Sequence, residues 1–145
     1  MNGQAVMLDG TFGYIAGTKE HPEKKVTLKV GLKDYLGDTF GEIKMPHFAY
    51  LQSAHGTTAN SKFVAKEGEQ GYKMFIIHEN EETSALLADI MEGLPITLGY
   101  NRREGGMDVL VDLDLSVSGV DAQLKSLHST LAVDKFTSCM KKLDK

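Results

Sequence analysis

The chain has 145 residues, a formal net charge of -4, 41% hydrophobic and 25% charged residues, and one cysteine, Cys139. This describes a single domain of ordinary size that can bury a core without staples, and its acidic balance argues against nucleic acid as the main partner. No apolar run approaches the roughly 20 residues of a membrane-spanning helix, so no membrane insertion is expected, and a lone cysteine excludes an intramolecular disulfide.

The 15 glycines are spread along the chain and punctuate short apolar–polar segments, the pattern of a strand-rich domain. "GQAVMLDGTFGYIAGT" reads as a glycine-interrupted strand, with Gly10 and Gly13 expected at a bulge or tight curve. "KKVTLKVGLKD" alternates Val26, Leu28, Val30 and Leu32 with Thr27, Lys29, Gly31 and Lys33, a strand with one buried face. "YLGDTFGEIKM" follows as a further strand or hairpin partner. "PHFAYLQSAHGTTAN" has no clean period and reads as a long excursion. "SKFVAKEGEQGYKMFIIHE" is a hairpin turning at "EGEQG".

"ENEETSALLADIMEGLP" predicts the best internal helix. Acidic residues crowd its start, Leu86, Leu87, Ile90 and Met91 fall at helical spacing, and Gly93 with Pro95 signals its end. "ITLGYNRREGGMDVLVDLDLSV" predicts two antiparallel strands joined at "RREGG", with Ile96, Leu98 and Tyr100 alternating in the first and Val109, Val111, Leu113 and Leu115 in the second. "VDAQLKSLHS" reads as a short helical piece. "AVDKFTSCMKKLD" reads as a helix whose apolar stripe runs Phe136, Cys139, Met140, Leu143. On that stripe Cys139 is expected to pack as a small hydrophobe, because reactive cysteines favour electropositive settings such as helix N-termini.

The chemistry-bearing residues form no specific signature. The five histidines show no i, i+4 pair and no Cys/His cluster, so neither a metal nor a cofactor is expected. His78 beside Glu79 reads as a polar strand end. Asp112 and Asp114 share a strand face, with Arg102 and Arg103 as expected cross-strand partners. Phosphate-loop, nucleophile-elbow and dinucleotide patterns are absent, and Ser53, His55 and Ser61 show no triad spacing. Residues 61–114 carry eleven acidic against five basic residues, whereas 115–145 carry three against five. The acidic middle suits either a solvated surface or a docking face.

The ending "SGVDAQLKSLHSTLAVDKFTSCMKKLDK" resembles that of several small exported bacterial β-domains, which close with a strand, a short segment and a helix bearing F-x-x-C-x-x-x-L. Phe136, Cys139 and Leu143 match this spacing. The families are the invasion-associated locus B type, the N-terminal domain of the sodium-motor protein MotY, and periplasmic immunity proteins of type VI secretion effectors. The resemblance covers about the last third of the chain. It differs in having no upstream cysteine to pair with Cys139, and the serine-glycine-tyrosine motif of C-type lysozyme inhibitors is missing. The resemblance implies a non-enzymatic periplasmic binding domain, with any signal peptide already removed.

The expected fold is therefore mainly β (α+β): one domain over residues 1–145, an antiparallel sandwich or half-open barrel of about six to eight strands. One internal helix and a packed C-terminal helix complete it. The expected role is binding a toxin or hydrolase through protruding loops. The partner-binding candidates are His47, Phe48, Tyr50 and His55 in residues 45–60, with Phe48 and Tyr50 as apolar anchors, and Arg102, Arg103 and Glu104 at the Asn101–Gly106 tip. The arginines would reach a partner's carboxylates. The alternatives are a subunit of a cell-envelope assembly, including a homodimer through an exposed sheet edge, and a small-ligand binder or hydrolase with a pocket at a barrel mouth.

Overall fold

The computed structural model describes residues 6–36, 39–115, 117–120, 123 and 126–143. It is mainly β. Strands β1 (Val6–Ile15), β2 (Lys25–Leu36), β3 (Thr39–Lys44), β5 (Phe63–Glu67) and β6 (Lys73–His78) form a five-stranded antiparallel sheet in the order β1-β2-β6-β5, with β3 also on β2. Strands β4 (Phe48–Gln52), β7 (Ile96–Asn101) and β8 (Val109–Leu113) form a second antiparallel sheet, with β7 central. Strands β9 (Val117–Val120) and β10 (Ser126–Ser129) make a two-stranded ribbon, and helices α1 (Glu81–Glu92) and α2 (Leu131–Leu143) complete the fold. Among the described residues no sheet closes into a barrel.

One core lies between the sheets and the helices. The alternation read in β2 holds: Val26, Leu28, Val30 and Leu32 are all buried, with Phe75 and Ile77 of β6 beside them. From the second sheet come Ala49, Leu51, Ile96, Leu98 and Tyr100. Helix α1 adds Leu86, Leu87 and Ile90. Its ends are those the sequence predicts. Asn80 and Thr83 form a reciprocal capping box, and Gly93 closes the helix in the left-handed region at φ 73°.

Five expectations need correction. Gly10 and Gly13 mark no bulge, because β1 pairs with β2 without interruption from Val6↔Asp34 to Ile15↔Lys25. The irregularity falls instead where β2 meets β3, between Lys33 and Tyr35. The excursion at 46–60 contains β4, whose Ala49, Tyr50 and Leu51 are buried in succession, which erases the period of two. In "VDAQLKSLHS", Ser126–Ser129 is a strand rather than a helix, while residues 121, 122, 124 and 125 lie outside the described residues. With β4 and the ribbon added, the strands number ten among the described residues.

The fifth correction concerns Cys139, which is exposed. Helix α2 turns Val133, Phe136, Thr137 and Met140 inward, a stripe at i, i+3, i+4 and i+7 rotated from the expected one. Phe136 meets Phe12 of β1 at 5.9 Å between ring centroids, and Thr137 Oγ1 donates to the Met91 carbonyl at 3.4 Å. These two contacts fix the rotation, and Leu143 is left 47% exposed.

Candidate protein-docking site at the β7–β8 hairpin

Strand pairing collects six of the seven candidate residues at one end of the second sheet. Phe48 lies opposite Asn101, and Tyr50 opposite Gly99. The His47 amide donates to the Asn101 carbonyl at 2.7 Å, so His47, Phe48 and Tyr50 sit at the base of the hairpin whose tip carries Arg102, Arg103 and Glu104. His55 is left out. It lies beyond the opposite end of β4, where Gln52 faces Thr97.

The two proposed anchors are not free side chains of a loop. Tyr50 is buried at 9% exposure, its ring lying over Gly99, where an added Cβ would stand 2.2 Å from the ring. Phe48 is half-buried and packs against Phe63 and Phe75 at centroid distances of 5.4 and 5.8 Å. Both serve as the floor under the hairpin.

The connection from Arg102 to Asp108 is held at several points. Asn101, itself buried, accepts from the Arg103 amide at 3.0 Å through Oδ1. Its Nδ2 donates to the Gly106 carbonyl and to Asp108 Oδ1. Tyr50 donates its hydroxyl to Asp108 Oδ2 at 3.1 Å. Burial first, and then this bond to a carboxylate, raise the Tyr50 pKa above its ordinary value. Gly105 takes φ 70°, a left-handed turn residue. Arg102 does not meet Asp112. It crosses to Asp34 of β2 at 2.9 Å, beside Lys44 at 3.6 Å from the same carboxylate, and ties the tip to the first sheet. Asp112 instead accepts from Thr97 Oγ1 at 3.0 Å, as its register opposite Thr97 dictates.

What this frame presents is Arg103, Glu104 and Met107, all exposed, Met107 at 92%. Strand β8 continues the surface with Val109 and Leu110 at 43% and 62% exposure. Sequence reasoning took Asn101 only as the start of the tip, gave Asp108 no role in holding it, and passed over Met107. The signal lay in "NRREGGMD": an Asn and an Asp bracketing a glycine turn, with one apolar residue stranded in a polar loop.

His55 belongs to a separate cluster. Asp89 of α1 accepts from the His55 amide at 3.0 Å and contacts its Nδ1 at 2.9 Å. A hydrogen bond from the Ser53 side chain, followed by those from His55, holds the Asp89 carboxyl below its ordinary pKa against the opposing effect of desolvation. The Ser53 hydroxyl donates to the Gly56 carbonyl at 3.2 Å, and His55 pairs with the carboxylate, so no imidazole stands between the serine and the aspartate. A nucleophilic relay needs the imidazole between the other two. The bonds instead dock the 53–58 turn onto α1, where a Cβ on Gly56 would stand 2.2 Å from the Leu86 nitrogen. Among the described residues no three His, Cys, Asp or Glu side chains gather as metal ligands, and no helix is long and apolar enough to cross a membrane.

Comparison with protein-family models, with curated proteins and with solved structures finds no match for this chain.

Proposed function

We propose that this chain is a non-enzymatic protein-binding domain, a bacterial periplasmic inhibitor or immunity protein that neutralises a secreted toxin or hydrolase by direct contact. The observation that carries the reading is the β7–β8 tip. A loop tied down by Asn101, Tyr50 and the Arg102–Asp34 pair holds Met107 almost wholly in solvent. A large apolar side chain on a rigid loop is poorly placed for stability and well placed as an anchor. Little ordering entropy is lost when such a loop docks. Arg103 adds a charge and Glu104 its opposite, so the rim can select a partner by charge pattern.

The test is capture from a lysate of the encoding organism with the wild-type chain and with the double variant Arg103→Glu/Met107→Asp. The expected result is one stoichiometric hydrolase or toxin, recovered by the wild type, inhibited by it at one equivalent, and lost with the variant at unchanged Tm. A protein retained equally by both, or one whose activity the chain leaves intact, contradicts the reading.

A further inference from the structure

We propose that the space between the two sheets is a binding site for a small molecule with a medium-length aliphatic chain, a site separate from the hairpin. An apolar cavity of about 310 Å³ opens there. That falls within the roughly 300–1,000 Å³ of ligand pockets. Its walls come from both sheets: Leu8 and Phe12 of β1, Leu28 and Val30 of β2, and Ile96 and Leu98 of β7. Ile90 of α1 also lines it, and the half-buried Leu113 and Leu115 line it from the β8 side.

The cavity has an identifiable origin in the sequence. In β1, Leu8, Gly10 and Phe12 lie opposite Leu32, Val30 and Leu28, all three buried. Directly opposed residues share a face, so Gly10 lies in line with Leu8 and Phe12 on the face toward the cavity, although Gly10 itself is exposed. A core strand would normally place a side chain there. Glycine carries no side chain between Leu8 and Phe12, and the backbones come close enough there that an added Cβ would stand 2.5 Å from the Lys29 carbonyl oxygen. Protein interiors pack densely, with few voids larger than a water molecule.

The lining chooses the ligand's chemistry. Among the described residues, polar ones enter only as Asp9, Thr11 and Lys29 on the adjoining strands of the first sheet. The Asp9 carboxylate already accepts from the Tyr72 hydroxyl at 2.6 Å, and the Lys29 ammonium lies 4.6 Å from the centre of the Tyr72 ring. None of the ten apolar liners supplies a hydrogen-bonding side chain. An aliphatic chain loses no polar hydration on entering such a site and gains dispersion contacts with its lining. A carbohydrate or nucleotide would leave buried donors and acceptors unmatched.

The experiment uses decanoate and 1-decanol, each below its aggregation limit, followed by thermal unfolding, calorimetric titration and amide chemical-shift mapping on the full chain. At least one probe is expected to raise Tm and bind one per chain. It should shift the amides of Gly10, Thr11 and Leu113 while leaving those of residues 102–107 in place. Leu113→Phe, which fills the cavity from its half-buried side, should weaken binding at least tenfold. Binding of both probes alike assigns recognition to the chain, and binding of decanoate alone assigns an acidic head as well. Absence of saturable binding by either probe overturns the proposal, as does a shift pattern confined to other surfaces. The mapping needs no variant, so it decides even if Leu113→Phe folds poorly.

Discussion

Single residues carry much of this structure, and several make direct predictions. Asn101 is the pin of the β7–β8 tip, and its amide serves three loop groups at once. Asn101→Ala strands the Arg103 amide and the Gly106 carbonyl, so denaturant unfolding should show a loss of about 1–3 kcal/mol. Gly99 is fixed by the Tyr50 ring above it. Gly99→Ala must displace that ring, at a cost of about 1–3 kcal/mol, and Tyr50, freed from Asp108, should then titrate closer to an ordinary tyrosine. Asp89 gives a pH signature. Its folded pKa lies below its ordinary value, so its contribution is fully present above the unfolded pKa of about 4 and fades as pH falls through the folded one. The Tm difference between wild type and Asp89→Asn should therefore be full at neutral pH and shrink in acid. A difference that grows on acidification would contradict the assignment. Cys139 is a surface residue, and a thiol reagent should titrate it fully in the native state without denaturant.

At the scale of elements, helix α1 offers the cleanest test. Gly93 is left-handed with open space around it, so Gly93→Ala isolates the backbone cost of about 1–2 kcal/mol. The same elements show why parts of the fold were legible. Strand β2 buries its apolar side chains on one face, and its alternation of Val26, Leu28, Val30 and Leu32 stands in plain view. Helix α1 announces itself by its caps and spacing. Strand β4 hides because Tyr50, on the face opposite Ala49 and Leu51, is covered through its contact with Gly99, and nothing local encodes a contact between residues so far apart. Helix α2 is legible in the sequence, but its rotation is not. Phe136 and Met140 fit two adjacent stripes, and the bond from Thr137 to the Met91 carbonyl of α1, far upstream, decides between them. The candidate site followed the same rule. Its tip could be read from turn chemistry, whereas the Arg102–Asp34 tie joins two sheets and has no local signature.

For the molecule as a whole, two packed sheets and α1 share one core, and the exposed hairpin tip and the cavity occupy different parts of it. The tip lies where β4 and β7 meet near Asn101, while the cavity lies between the inward faces of β1, β2 and β7. The shared core links the two, because a preformed loop and a preformed cavity both require sheets that do not yield. The proposed function requires that the β7–β8 tip contact a secreted toxin or hydrolase. The most direct measurement places a photoreactive residue at the tip, Met107→benzoylphenylalanine, and irradiates living cells of the encoding organism, with Lys66→benzoylphenylalanine on β5 as control. The account predicts one discrete adduct at position 107, containing such an enzyme, and none at position 66. No adduct at 107, or the same adduct from both positions, would contradict it.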